Sequence, residues 1–188
     1  MTTNDMTGLV LAGGASRRMG ADKALIDLDG RPLVEHVAER LATVCTDVLV
    51  APGARRLPDL PWTQVDDRLP GAGPLAGILG GMAVTTTPLL AVVGVDMPAC
   101  SPSVLVALAQ RWSGEAAGVP VTGGRLQPLH AVYAVAALPR LAALFDDGER
   151  SPTSALQELE ATLHEVTGPA PWAASLNTAD DLARFRGQ

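Results

Sequence analysis

Short, continuous apolar runs alternate along the chain with longer stretches in which apolar residues recur every three or four positions. The run at residues 8–12 predicts a buried strand, and a glycine-rich loop follows it. Between 33 and 44, Leu33, Val37, Leu41 and Val44 share one helical face, with Pro32 where a first turn tolerates proline. Residues 47–51, built on Val48, Leu49 and Val50, predict a second strand ended by Pro52-Gly53. A polar, proline-containing connection at 54–61 leads to a short strand at 62–65, and 74–84 reads as the next helix. Residues 89–95 form the strongest strand pattern, an unbroken apolar run of the kind a central parallel strand needs. A helix at 104–112 and a strand at 116–121 follow. Beyond Gly123-Gly124 the order loosens into a strand at 129–135, helices at 138–144 and 153–161, and a weak strand at 162–166. A closing helix at 179–185 has Asn177 or Thr178 as its cap.

Strands separated by helices in this order predict a single α/β domain over residues 1–188: three α/β/α layers around a mostly parallel sheet. The length, 188 residues with 47% hydrophobic positions, suffices for one full core. A net charge of −6 and an aromatic content of only 3% argue against a nucleic-acid binder. The first five residues lack the basic-then-apolar pattern of a signal peptide, and the longest apolar stretch, 88–95, is far short of a membrane span. Cys45 and Cys100 show no metal-type spacing and read as buried thiols, so the expectation is a cytoplasmic protein with no membrane association.

The chemistry concentrates in three places. Residues 11–23, Leu-Ala-Gly-Gly-Ala-Ser-Arg-Arg-Met-Gly-Ala-Asp-Lys, leave the first strand. Glycines there let backbone N–H groups approach a phosphate, and Arg17, Arg18 and Lys23 add positive charge. The loop is neither a Walker loop nor Gly-x-Gly-x-x-Gly. Asp96 follows a run of buried valines and so sits at a strand's carboxyl tip, where Mg²⁺ needs only one or two carboxylates plus substrate phosphates. Asp66-Asp67-Arg68 precedes a second glycine turn, Gly71-Ala72-Gly73-Pro74-Leu75-Ala76-Gly77. Asp67 reads as part of a surface turn, beside a glycine backbone that can approach a base or ribose closely.

The first loop resembles the signature of the sugar-nucleotidyltransferase-like enzymes, Leu-x-Gly-Gly-x-Ser-x-Arg-Met-Gly-x-Asp-Lys, and within them that of the molybdenum cofactor guanylyltransferases. The resemblance spans nearly the whole chain, densest at 9–25, 64–80, 92–98, 124–133 and 176–182. It implies a Rossmann-like nucleotidyltransferase fold, with a nucleotide-binding N-terminal half and a second-substrate C-terminal half. It implies nucleotide binding by Leu11, Ala12, Gly13, Gly14, Lys23, Asp67, Pro74, Leu75, Gly77 and Asp96. Lys23, Arg18 and Asp96 would be catalytic, with Asp96 holding Mg²⁺ and Asp67 reading the two donors on the guanine edge.

Arg125, Gln127, Pro128 and His130, in Gly-Arg-Leu-Gln-Pro-Leu-His, resemble the family's second-substrate stretch. His130 lies among apolar residues and reads either as a wall histidine or as a base. Asn177 belongs to a matching Asn-Thr-x-x-Asp-Leu ending in which Ser175 replaces the family's first Asn; it either serves the metal or phosphate site or caps the last helix. Between 145 and 157 the resemblance fades, where Ser151-Pro152-Thr153-Ser154 replaces the usual apolar helix start.

The implied reaction is transfer of GMP from GTP to the terminal phosphate of molybdopterin with release of pyrophosphate. Proteins of molybdenum cofactor biosynthesis or molybdoenzyme maturation are the implied partners. Rival readings are a cytidylyltransferase on the same pterin, a sugar-phosphate nucleotidyltransferase and a catalytically silent nucleotide-binding partner. Gly13 and the Pro-Leu-Ala-Gly at 74–77 favour guanine over cytosine, because the cytidylyl type resembles Leu-Ala-Ala-Gly and lacks the second motif.

Overall fold

The apolar run that opens the chain becomes β1 (Met6–Leu11), all six residues of which are buried. A computed structural model describes residues 5–13 and 22–187. The part of the glycine loop that carries Gly14, Arg17 and Arg18 lies outside the described residues. After it come a 3₁₀ turn (Lys23–Leu25), a two-residue hairpin of β2 (Asp27–Leu28) and β3 (Arg31–Pro32), and α1 (Leu33–Ala42). The chain continues through β4 (Asp47–Ala51), β5 (Thr63–Gln64), α2 (Pro74–Val84), β6 (Leu89–Gly94), α3 (Pro102–Arg111) and β7 (Ala117–Thr122). It ends with β8 (Arg125–Leu126), β9 (His130–Ala134), α4 (Leu138–Asp146), α5 (Pro152–Glu158), β10 (Thr162–Glu165) and α6 (Ala179–Arg186).

The main sheet runs β10-β7-β9-β6-β1-β4-β5, with β8 paired to β7. β9 is antiparallel to both β6 and β7, whereas β6, β1, β4 and β5 pair in parallel and β10 pairs in parallel with β7. The carboxyl ends of β1, β4, β6 and β7 therefore share one edge. The chain leaves β1 toward β4 on one side, then returns to β6 on the other, so the β1–β6 boundary is a topological switch point, where open α/β sheets bind ligands.

Helices cover both faces. α1 and α3 bury one set of strand side chains, including Val10, Val50 and Val93, with Leu182 and Phe185 of α6 packed against it. α2, α4 and α5 bury the other set, including Leu9, Val92 and Tyr133. α2 is apolar nearly all round because it lies between the sheet and α4, and eight of its residues are buried. Gly77 and Gly81 let it settle onto the sheet: a Cβ at Gly81 would stand 2.7 Å from Leu9 Cδ2, and one at Gly77 would stand 2.9 Å from Leu11 Cδ2.

Cys100 is buried and Cys45 partly so, both unbonded. Burial pushes their thiols up to about 11 and about 12, so both stay protonated. No helix among the described residues is long and apolar enough to cross a membrane.

Candidate active site

Two strand ends meet at the switch point. Leu11, the last residue of β1, accepts the Val95 N–H at 3.0 Å, which locks the turn after β6 beside the turn after β1. Asp96 follows at once. Gly94 makes its orientation possible, since a Cβ there would lie 2.7 Å from Asp96 Oδ1. The Asp96 carbonyl accepts the Leu176 N–H at 2.8 Å and thereby draws the C-terminal segment to the same spot.

Lys23 reaches this point from the other side of the glycine loop. Asp22 caps its 3₁₀ turn by accepting the Ala24 N–H at 3.1 Å. Lys23 Nζ then donates to Asp96 Oδ2 at 3.4 Å and to Asn177 Oδ1 at 3.1 Å. Residues 73 and 154 positions away from Lys23 thus converge on one ammonium. The side chains of Lys23 and Asp96 keep 18% and 25% exposure, so the pair faces solvent and a ligand can reach it.

Asn177 does not cap the last helix. Thr178 does, accepting the Asp181 N–H at 3.1 Å while Asp181 Oδ2 takes the Thr178 N–H at 2.9 Å in a reciprocal capping box. Asp181 Oδ2 also takes the Asn177 N–H at 2.9 Å, which leaves the Asn177 amide group turned toward Lys23. Two oxygens, one carboxylate and one carboxamide, share this ammonium. They are hard donors of the type Mg²⁺ takes, and no cluster of three or more His, Cys, Asp or Glu exists among the described residues.

Asp67 lies against α2. Its Oδ1 is buried with no hydrogen-bond partner among the described residues, and a Cβ at Gly77 would meet that oxygen at 3.3 Å. Burial first, then the neighbouring Asp66 charge, holds its carboxyl above the ordinary range. A partly buried acceptor with an orphaned oxygen is equipped for a donor that the protein does not supply. Asp66 points outward, 83% exposed, to Arg56 at 2.8 Å. The turn before α2 needs its glycines, with Gly71 at φ 79° and Gly73 at φ 90°. Pro74 opens the helix from an exposed position, but Leu75 is fully buried in the core. Its side chain packs α2 against the core.

The β7–β8 hairpin and the start of β9 stand at the same edge of the sheet, with Gly94 N–H donating to the Leu129 carbonyl at 2.9 Å. Arg125 is exposed, and Gln127 and Pro128 are half-buried. His130 differs from them in burial. It is 0% exposed, its Nε2 accepts the Ser101 N–H at 2.9 Å, and its ring lies 4.6 Å from that of Trp172. Burial lowers it to about 4, so it is a neutral acceptor holding the start of α3 in place. Of the two readings the sequence leaves, wall histidine or base, this burial and bonding favour the first.

Arg55 was missed by the sequence reading. It sits in the connection after β4 and donates to the Ala12 carbonyl at 3.1 Å, to the Pro52 carbonyl and to both carboxylate oxygens of Asp22. Its place in a polar connection gave no signal of these partners.

A family model described as a MobA-like NTP transferase domain matches residues 8–163. A protein from Chloroflexus aggregans named probable molybdenum cofactor guanylyltransferase is 40% identical over 94% of this chain and 91% of its own. One of the same name from Deinococcus radiodurans is 37% identical over 97% of this chain and 95% of its own. The crystal structure of molybdopterin-guanine dinucleotide biosynthesis protein A from Archaeoglobus fulgidus matches with a TM-score of 0.80 at 25% identity, covering 96% of this chain and 97% of that one.

Proposed function

The chain belongs to the MobA-like NTP transferase family and is a nucleotidyltransferase of Rossmann-like fold, and on that premise we propose that it transfers GMP from GTP to the terminal phosphate of molybdopterin, releasing pyrophosphate. The observation that carries this reading is the convergence of Lys23, Asp96 and Asn177 at the β1–β6 switch point. Names borne by relatives over nearly the full length of the chain supply the two substrates.

The backbone at Leu11, Ala12 and Gly13 borders the phosphates, and Lys23 neutralises charge on them. The phosphate of the pterin attacks the α-phosphorus in line; a P–O bond forms there as the α–β bridge bond breaks, and pyrophosphate departs. An incoming phosphate is already anionic, so no general base is required, in keeping with a buried, neutral His130. Catalysis is then mostly positioning and charge neutralisation. Asp96 and Asn177 are the residues that would hold Mg²⁺, which when bound supplies positive charge against the departing pyrophosphate. Asp67 accepts from guanine N1–H and the 2-amino group, giving its orphaned oxygen a partner. Arg125, Gln127 and Pro128 border the pterin side. Arg18 adds a second cation from the glycine loop. The reaction takes place in the cytoplasm, with proteins of cofactor biosynthesis or molybdoenzyme maturation up- and downstream.

The test is a panel of GTP, CTP and ATP with molybdopterin and Mg²⁺, monitoring pyrophosphate. GTP is expected to be consumed fastest. Faster consumption of CTP would overturn the guanine assignment, and no pyrophosphate with any nucleotide would overturn the transfer itself.

A further inference from the structure

Asp22 and Lys23 are adjacent, yet only Lys23 faces the site. We infer that Arg55 and Asp22 form a positioning clamp that closes the base of the glycine loop and sets where Lys23 stands, so that both act on the phosphate half of the nucleotide without touching it. The guanidinium gathers three segments that are separate in sequence: the Ala12 carbonyl entering the loop, the Asp22 carboxylate leaving it, and the Pro52 carbonyl ending β4. The fork geometry of arginine is what allows one side chain to engage a carboxylate through two nitrogens and carbonyls on either side.

The approach is close in backbone terms too. A Cβ at Gly13 would stand 3.2 Å from Gly53 Cα, so the loop entry is seated directly on the turn that carries Arg55. Asp22 is bound twice, because the oxygen Oδ1 that takes the Arg55 bond also caps the turn bearing Lys23. Moving the carboxylate therefore moves the base of the lysine.

There is an electrostatic half to the argument. Asp22 would otherwise present a negative charge beside a triphosphate, and Arg55 cancels it. The side chains of Arg55 and Asp22 are 32% and 27% exposed, so the pair is held mostly out of water. The next residue shows the contrast: Arg56 pairs with Asp66 at 2.8 Å, but at 58% and 83% exposure, as a rim pair that fixes little.

The clamp rests on the reading that phosphates lie at this loop, so its test separates the two. Wild type, Arg55→Ala, Arg55→Lys, Asp22→Asn and the double variant Asp22→Asn/Arg55→Ala are compared in KM for GTP, KM for molybdopterin, GTP-over-CTP preference, thermal midpoint and affinity for inorganic tripolyphosphate. Arg55→Ala is expected to weaken GTP and tripolyphosphate together, by roughly tenfold to a hundredfold, the scale of a lost charge-assisted hydrogen-bond set. Base preference and KM for the pterin should not change. Asp22→Asn keeps an oxygen for the Ala24 N–H, and in the double variant it should restore part of the affinity, because the uncompensated carboxylate is gone. Arg55→Lys should fall between wild type and Arg55→Ala.

Tripolyphosphate affinity equal to wild type in a folded Arg55→Ala or Arg55→Lys would overturn the clamp, whatever the loss in thermal midpoint. So would a double variant no better than Arg55→Ala alone. If Arg55→Ala does not fold, Arg55→Lys and Asp22→Asn decide the matter by the same tripolyphosphate measurement. Wild type that ignores GTP while Arg55→Ala still loses tripolyphosphate would refute the guanylyl reading and leave the clamp standing.

Discussion

Asp67→Asn should stabilise the free protein while removing its preference for guanine, and the two effects come from the same carboxylate. Oδ1 is buried without a partner, in a carboxylate raised by burial and by the charge of Asp66. A carboxyl raised in the folded state contributes stability that is fully present below its unfolded pKa and is lost as pH rises through the folded value. Wherever it is ionised, the free enzyme therefore carries an unfavourable charge. An amide in the same place removes the charge and the repulsion from Asp66. The amide oxygen still lacks a donor, so the gain comes from the lost charge alone and, for a half-buried group screened by solvent, is under about 1 kcal/mol. For a domain of this size that raises the thermal midpoint by at most about 2–4 °C. The gain should grow as pH rises from the ordinary carboxylate range and flatten above the raised value. On the functional side, an amide cannot accept from both guanine donors as a carboxylate can, so kcat/KM for GTP should fall by roughly tenfold to a hundredfold. Thermal melts from pH 4 to pH 8, paired with GTP and CTP turnover, make the test. A variant that is less stable than wild type at neutral pH and keeps its GTP-over-CTP ratio would refute both the burial argument and the role assigned to Asp67.

Asp96→Asn should leave the fold intact, because a partly exposed pair at 3.4 Å contributes under about 1 kcal/mol, while lowering Mg²⁺-dependent turnover by roughly a thousandfold. Turnover near the wild-type rate would remove Asp96 from the mechanism. Gly80→Ala would place a Cβ 2.1 Å from the Asp66 carbonyl oxygen, so α2 or the Asp66-Asp67 segment must give by more than an ångström. A cost of about 1–3 kcal/mol and a loss of GTP-over-CTP preference should follow, with affinity for tripolyphosphate unchanged; unaltered base preference would show that Asp67 is not positioned by this contact. Acidification should cost stability through His130, whose drop from 6.5 to about 4 means that its contribution is fully present above pH 6.5 and lost as pH falls toward 4. At about 1.4 kcal/mol per factor of ten in proton affinity, that loss is about 3 kcal/mol, and melts of His130→Phe over the same range should show it flattened. An equal acid sensitivity in that variant would assign the effect elsewhere.

How far the sequence could be read depended on what each residue's partners were. β1, β4, β6 and α2 follow from continuous burial or helical spacing, properties of the local chain, and they are found within a residue or two of their expected bounds. The β2–β3 hairpin and β8 were not legible, since two residues carry no period to detect; β5, equally short, was expected because Trp62 and Val65 flank it. The reversed direction of β9 was equally hidden: an apolar run records burial, and the hydrogen-bond partner fixes its sense. Ser151-Pro152, where the family pattern lapses, proves to be an ordinary cap, with the Ser151 hydroxyl accepting the Ser154 N–H at 3.3 Å. That helix stops at Glu158, short of the expected 161, and Glu160 at φ 53° leaves helical geometry. Arg55 was invisible for a different reason. Nothing about an arginine in a polar connection says that two carbonyls and a carboxylate from elsewhere will surround it.

The charge pattern at the sheet edge explains how a protein of net charge −6 can hold polyanions. Its acids there are matched one by one: Asp96 with Lys23, Asp22 with Arg55, Asp66 with Arg56, and Asp146 with Arg68 at 2.7 Å. Each pair cancels a charge that would repel phosphate, and the Debye length of about 8 Å at physiological salt keeps more distant acids from mattering much. Asp67 departs from the pattern. It has Asp66 beside it and an oxygen with no hydrogen-bond donor among the described residues. On the proposed role of Asp67, pairing it internally would have stabilised the free enzyme but left nothing to tell guanine from cytosine, whose corresponding edge presents acceptors. On that reading the cost of leaving it unmatched is borne in the free state and recovered only when two donors arrive from the base, and that difference between states is what discrimination requires.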